Sequence, residues 1–259
     1  MQPPFSKQLG APTRESISGE QDPAGQGKNA LEFAMELALL TYWQGQQRRI
    51  MDMLEPQIPE SRKVALQMSF WNDETKRLLA IILPLLQSGA EEAVMAEAAL
   101  AGIEVDWTAA ITEASKWARQ YAGELVDGIT DTTKERIRSI VANWMETEHT
   151  FPQLWRQLVA DQGFSQRRAK LIAATETTKA YAEGKMIGVE TIEKQGYFEY
   201  EKQWQTARDD NVCLICKPMQ GKTAKGVRGA FDTLAGQLEG PPAHPGCRCW
   251  HNMIPKVPK

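Results

Sequence analysis

The side chains best suited to chemistry in this sequence are four cysteines and one histidine near its C-terminal end. The cysteines form two pairs, Cys213-x2-Cys216 and Cys247-x-Cys249. His244 lies three positions before the second pair. Two thiolates at such a spacing can bind one tetrahedral metal ion, as they do in structural zinc sites. Five donors therefore compete for four places, and we predict Zn2+ as a structural cofactor.

The stretch between the two pairs indicates the kind of metal site. It is longer than the about 12 to 20 residues that separate ligand pairs in zinc fingers and ribbons. We therefore predict two knuckles that clamp a loop-rich cap, and not a finger that reads DNA. Two disulfides or four unbonded thiols are the alternatives. His251 would point to the same side as Cys249 in a strand, so it could replace one ligand.

The composition narrows the class of protein. The chain has 259 residues, of which 42% are hydrophobic and 24% charged, and a net charge of −3. The first residues lack the features of a secretory signal, and no run reaches the about 18 apolar residues of a membrane span. We expect synthesis in a reducing cytosol, where thiols bind metals in preference to forming disulfides. We expect neither a membrane nor a small-molecule substrate as a partner.

A basic cluster lies between the two knuckles. It consists of Lys222, Lys225 and Arg228, which are the candidate DNA contacts of this chain. The acidic net charge argues against a surface that coats nucleic acid, but it permits a local basic patch. Glycines beside these residues favour a mobile loop. A solvated surface is the alternative interpretation.

The chain divides into three regions by composition and periodicity. Residues 1–28 are rich in Pro, Gly, Ser and Gln, which predicts a flexible N-terminal arm. Residues 29–128 predict a helical domain that docks a partner. Residues 129–259 predict a second helical region that ends in the cap at 197–255. The predicted fold class is mainly α, with a helical N-terminal and central region and a small α+β, zinc-stapled C-terminal cap.

Local signals place helix ends in the first half of the chain. Ser88-Gly89 predicts a break between two helices, and Asp106 is placed to cap the next one. Thr132 and Glu135 form a capping box, which predicts that a further helix begins there. The helix after Asp106 has an apolar face made of Trp107, Ile111, Ala114, Ala118, Tyr121 and Leu125.

The second half of the chain contains one predicted long helix, after which the residue pattern becomes typical of a strand. Residues 165–195 predict that helix. Gly184 and Gly188 lie about one turn apart within it, a spacing that either lets another backbone approach closely or is incidental. Aromatic and polar residues alternate over residues 198–206, which predicts a strand leading into the first knuckle.

Three charged residues are candidates for supporting roles around the cap. Glu176 is assigned a structural role, in an ion pair or cap contact with Arg208 or Lys179, and a general base is the alternative. Asp209 either orients a metal ligand or ends the strand as a turn residue. Arg248 lies between two cysteines, where its charge would reduce repulsion between thiolates.

Several of these strings together resemble the phage Mu protein F-like minor head proteins over about residues 130–255. The family commonly has Ala-Arg-Thr-Glu where this chain has Ala173-Ala174-Thr175-Glu176, so the role of that arginine is not transferred. The strings that carry the resemblance are Ala173-Ala174-Thr175-Glu176, Trp204-x-Thr206, Asp209, Val212-Cys213-x2-Cys216, Gly221 and Pro241-Pro242-x-His244-Pro245-x-Cys247-Arg248-Cys249.

The resemblance implies a minor head morphogenesis protein of a tailed bacteriophage, with residues 129–259 as its head morphogenesis domain. It implies action near the portal vertex in head assembly, DNA packaging or genome delivery, with no catalytic activity. The implied partners are the portal protein, capsid or scaffold proteins, and packaged phage DNA. The implied location is the host cytoplasm during assembly and then the virion, in the capsid interior near the portal vertex.

Two other functions remain open from the residues alone. The cap could be a zinc-dependent nuclease or hydrolase in which His244 or Glu176 activates water. It could also be a zinc-bearing DNA-binding module. A catalytic zinc keeps one position open, whereas five donors easily close a site, so we predict that the chain is not an enzyme.

Overall fold

Long helices precede a group of short strands in the part of the chain that the structure describes, residues 25–57, 66–102, 105–147, 150–196, 198–207 and 212–256. This computed structural model is mainly helical with a small C-terminal sheet region, as predicted. The helices are α1 (Gly25–Leu54), α2 (Met68–Ala101), α3 (Thr108–Glu146), α4 (Phe151–Ala160) and α5 (Gln166–Glu193). The strands are β1 (Glu199–Gln205), β2 (Thr223–Lys225), β3 (Phe231–Thr233), β4 (Gly236–Leu238) and β5 (Trp250–Lys256).

Two predicted helix breaks are wrong, because α2 and α3 are continuous through them. Gly89 lies inside α2, where an added Cβ atom would meet Leu31 and Ala180, so core packing overrides its low helix propensity. Thr132 does not cap a helix. Its hydroxyl donates to the Gly128 carbonyl at 2.9 Å within α3. The predicted boundary between residues 128 and 129 therefore lies inside α3.

The predicted N-terminal arm overlaps the first helix. The helix α1 begins at Gly25, before the predicted end of the arm at residue 28. Lys28 is buried, with 8% of its surface exposed, because α1 packs against the rest of the bundle from its first turns. Most of the predicted arm, like Arg208 and Asp209, lies outside the described residues.

The centre of the bundle is the crossing of α2 and α5. Gly184 of α5 faces Ala90 of α2 so closely that an added Cβ atom would lie 2.1 Å from the Ala90 carbonyl oxygen. One turn later, Gly188 faces Val94 and Glu97 in the same way, at 3.2 Å or more. The glycine spacing in α5 therefore does let a second backbone approach.

The remaining helices pack around this crossing. In the first half of α3 the buried face is a row of small side chains, and the aromatic residues predicted to share that face are half-buried at its margin. The small row lets α3 lie close to α2. It consists of Ala110, Ala114, Ala118, Ala122 and Val126.

Among the described residues, α2 is long and apolar enough to cross a membrane by length and composition. Core helices share this property, and in this fold Leu78, Ile82 and Leu86 of α2 are fully buried against its neighbours. They pack with Met35 and Trp43 of α1 in the largest apolar cluster.

The strands form a small layer against the C-terminal half of α5. The three-stranded sheet has the order β2-β1-β5, with both neighbours of β1 antiparallel to it, and β3 and β4 form a separate hairpin. The predicted strand at 198–206 is confirmed as β1. One face of the sheet packs on Met186 and Val189 of α5 through Tyr200 and Met253. The sheet thus holds the cysteine-bearing loops beside α5.

The same face of β1 buries a lysine. Lys202 is fully buried, and its ammonium donates to the Glu239 carbonyl and lies 5.5 Å from the centre of the Phe231 ring. Burial lowers its pKa from 10.5 to about 8. Because the unfolded chain binds more protons than the folded chain between these values, stability must rise with pH across this range.

We therefore expect the free energy of unfolding to increase by about 1 to 3 kcal/mol between pH 8 and 10.5 on account of Lys202. The Lys202→Met variant should lack this component, whereas Lys222→Met, at an exposed position, should keep it. Urea denaturation at a series of pH values measures the difference. Parallel pH profiles for the parent protein and Lys202→Met would contradict the expectation.

Candidate metal centre

The five predicted donors converge at one place in the cap. The His244 Nε2 atom lies 3.0 Å from the Cys213 sulfur and 3.2 Å from the Cys216 sulfur. The Cys216 and Cys247 sulfurs are 3.7 Å apart. The donors form two overlapping groups, Cys213 with Cys216 and His244, and Cys216 with Cys247 and Cys249. Cys216 belongs to both.

The local backbone curls each knuckle around its sulfurs. The Cys213 carbonyl accepts hydrogen bonds from the amides of Cys216 and Lys217, at 3.1 and 2.9 Å, so the chain reverses directly after the first ligand. The Cys247 amide donates to the His244 carbonyl at 3.1 Å and closes a second turn. Gly246 has a φ of +74° in this turn, a conformation that favours glycine.

The helix α5 fixes the second knuckle through two threonines. The Gly246 amide donates to the Thr175 hydroxyl at 2.7 Å, and the Thr178 hydroxyl donates to the Cys247 carbonyl at 3.2 Å. The sequence reasoning missed these contacts. Their only signal is the three-residue spacing of the threonines, which places both on one face of a helix.

His244 is oriented as a metal ligand would be. Its Nδ1 atom lies 2.9 Å from the Pro245 carbonyl, and with the proton there it donates to that oxygen. The lone pair of Nε2 then faces the sulfurs of Cys213 and Cys216. Histidine ligands in metal sites are usually held in this way by a hydrogen bond on the other ring nitrogen.

The thiols strongly influence one another. Burial raises the pKa of the Cys216 thiol to about 12. A hydrogen bond from Cys249 lowers the pKa of Cys247 to about 5, and the same bond raises the pKa of Cys249. Three sulfurs this close cannot all be anionic without a compensating charge. A divalent cation is the group that lets all of them ionise, so the donor set fits a soft metal ion such as zinc.

Apolar side chains cover the donors. Trp204 is fully buried, packs edge-on against Phe231 with 5.2 Å between ring centres, and shares a cluster with the cysteines. All four cysteines are free of disulfide bonds. The structure therefore does not contain the two disulfides, whereas four unbonded thiols stay the other alternative to a metal site.

Two further predicted residues are not among these donors. His251 is buried on the sheet beside Gly240, outside both donor groups, and burial lowers its pKa. Arg248 is exposed, and its charge acts on Glu32 of α1. Asp209 lies outside the described residues, so its role stays a prediction.

Arg228 anchors the loop that was predicted to be mobile. Its guanidinium lies 2.6 Å from a Glu183 oxygen and 2.7 Å from a Glu190 oxygen, both on α5. These ion pairs compensate the guanidinium charge that a DNA contact at Arg228 would need. Lys222 and Lys225 are exposed.

We expect Arg228→Ala to lower the free energy of unfolding by about 1 to 2 kcal/mol, because it removes charge-assisted hydrogen bonds at a half-exposed site. Lys225→Ala should change it by less than about 0.5 kcal/mol. Urea denaturation followed by circular dichroism measures both. An unchanged stability together with weakened DNA binding in Arg228→Ala would instead favour the DNA contact.

The fold and the site together define a helical protein with a small cap built around a cysteine and histidine cluster. Residues 133–251 match the family model of the phage Mu protein F like protein. This match confirms the family resemblance over those residues. No curated protein and no solved structure shows significant similarity to the chain.

Proposed function

We propose that this chain is a minor head protein of a tailed phage, whose zinc-stapled cap is a rigid interaction module acting near the portal vertex. The single observation that carries the proposal is that four cysteine sulfurs and one imidazole nitrogen lie close together within the region that matches the family model. The proposed partners are portal, capsid or scaffold proteins. The proposed location is the capsid interior after assembly in the host cytoplasm.

The zinc ion would be structural. Cys213, Cys216 and His244 would supply one side of its coordination shell, and Cys247 and Cys249 the other. When bound, zinc supplies a cross-link between the two knuckles that a small cap needs in place of a large core. Enough donors are present to close the shell, which supports a structural site over a catalytic one.

The hydrolase alternative has less support. It requires a general base beside the metal, and the candidate base Glu176 accepts a hydrogen bond from Tyr121 at 2.6 Å. The family match to a structural head protein is consistent with the absence of catalysis. The DNA-binding alternative depends on Lys222 and Lys225, because Arg228 is paired with glutamates of α5.

The test of the metal begins with its content in protein purified without an affinity metal. We expect about one zinc per chain, and thiols that become reactive only after chelation. Absence of metal together with oxidised cysteines would refute the zinc proposal.

The test of the head role is co-expression with the portal protein encoded by the same phage genome, followed by size-exclusion chromatography. We expect co-elution with the portal. Elution of the chain with neither portal nor procapsids would refute the location near the portal vertex, whatever the metal result.

A further inference from the structure

A groove of about 480 Å³ lies between α3 and α5, beside the second knuckle. Glu176 lines this groove together with Glu124, and Pro245 of the knuckle forms one end of its lining. The rest of its lining combines apolar side chains with the polar side chains of Tyr121, Thr132, Thr175 and Arg168. The apolar side chains are Leu125, Ile129, Leu171 and Ile172.

Glu176 is unusual among the groove residues because it is a buried acid with a free oxygen. It is only 7% exposed, and its Oε2 atom accepts a hydrogen bond from the Tyr121 hydroxyl at 2.6 Å. No other described residue donates a hydrogen bond to it. Burial raises the pKa of Glu176, and the nearby Lys179 opposes that rise. A cationic ligand would compensate the buried charge.

The cations nearest to Glu176 are already engaged. Arg168 donates to Thr133 and to the carbonyls of Gly163 and Ile129. The Lys179 ammonium lies 4.0 Å from the centre of the Tyr121 ring, and its charge lowers the pKa of Glu176. Since the Tyr121 ring also stacks on Trp117, it is not free to stack on a nucleobase.

We propose that this groove binds an arginine side chain of another head component, with its aliphatic stem on the apolar walls and its guanidinium on the Glu176 carboxylate. Arginine suits the site better than lysine, because its planar fork pairs with carboxylates and is more weakly hydrated. The inference rests on the proposed function for the source of the arginine. The groove and its acid do not depend on the metal assignment.

The probe for this site is the tripeptide acetyl-Leu-Arg-Leu-amide, added to the full chain while NMR shifts of labelled glutamate and tyrosine side chains are recorded. We expect saturable shifts at Tyr121 and Glu176. The same peptide with citrulline, which is neutral and of nearly equal shape, should bind at least about tenfold more weakly. Equal binding of the two peptides, or no binding of either, would overturn the proposal.

Two variants test the site itself. Glu176→Gln should weaken binding of the arginine peptide at least about tenfold, whereas Glu113→Gln, at an exposed position of α3, should not. Gly128 lines the groove, and an added Cβ atom there meets nothing within 4 Å, so we expect Gly128→Leu to fill the groove and block the peptide while the fold is kept. Gly123→Leu is its control, because Gly123 is equally open but does not line the groove.

Further measurements separate this inference from the proposed function. Zinc content is determined in every sample. Peptide binding by metal-free protein would support the groove and refute the zinc site. No peptide binding by zinc-loaded protein would refute the groove and leave the zinc site supported. Sedimentation velocity of the parent chain and Glu176→Gln tests the source of the arginine. Self-association that is lost in Glu176→Gln would assign the arginine to a second copy of this chain and overturn the assignment to another head component.

Discussion

Replacing Cys216 with serine is expected to abolish metal binding and unfold the cap, while the helical bundle stays folded. Cys216 is the donor shared by both groups, with its sulfur 3.2 Å from His244 Nε2 and 3.7 Å from the Cys247 sulfur. A serine hydroxyl is a poor ligand for zinc at neutral pH. Removal of this sulfur therefore disconnects the two knuckles.

The expected effect is large because such a cap folds only when it binds its metal, so that the two processes form one coupled equilibrium. The apparent binding free energy of structural zinc in zinc-finger peptides is about 10 to 16 kcal/mol at pH 7. We expect zinc content to fall from about one per chain to near zero. Hydrogen exchange should become fast in β1, β2 and β5 and remain slow in α2 and α5.

Two comparisons make this prediction specific. Cys213→Ser and Cys249→Ser each remove a donor from one group only, so we expect both variants to retain more zinc than Cys216→Ser. Elemental mass spectrometry and exchange measured by mass spectrometry give the readouts. A Cys216→Ser protein with full zinc content and a protected sheet would show that Cys216 is not a ligand.

Replacing Gly184 with alanine is expected to destabilise the whole bundle. The new Cβ atom would lie 2.1 Å from the Ala90 carbonyl oxygen and within 3 Å of two further backbone atoms of Ala90. Backbone cannot yield as a flexible side chain does, so α2 must move away from α5. Overpacking of this kind costs about 1 to 3 kcal/mol or more, which exceeds the about 1 kcal/mol gained from the higher helix propensity of alanine.

The matched control is Gly123→Ala in α3, where the added methyl group meets nothing within 4 Å. In that variant the free energy of unfolding should rise by up to about 1 kcal/mol, because only the higher helix propensity of alanine acts there. We expect the free energy of unfolding of Gly184→Ala to be about 2 kcal/mol lower than that of the parent protein, as measured by urea denaturation followed by circular dichroism. If the two variants have the same stability, α2 and α5 do not approach as closely as this structure has them.

The sequence by itself was sufficient for features that depend on neighbouring residues. The cysteine spacings and the position of His244 predicted two knuckles, and the structure brings the donors of both together. Alternation over residues 198–206 predicted β1, and the long periodic segments predicted the helical class. These signals are local, because turn geometry and side-chain periodicity are set within a few residues.

Only the tertiary structure decided features that depend on partners far away in the chain. Gly89 and Thr132 have sequence signals for a helix end, yet each lies inside a helix that the bundle stabilises. Glu176 was predicted to contact Arg208 or Lys179; Arg208 lies outside the described residues, and the hydrogen bond to Glu176 comes from Tyr121, which is 55 positions away. Arg228 was predicted as a DNA contact or a solvated residue, and the structure shows that it pairs with Glu183 and Glu190, about 40 positions before it. Since burial and ion pairing are set by packing between elements, no local pattern could identify these contacts.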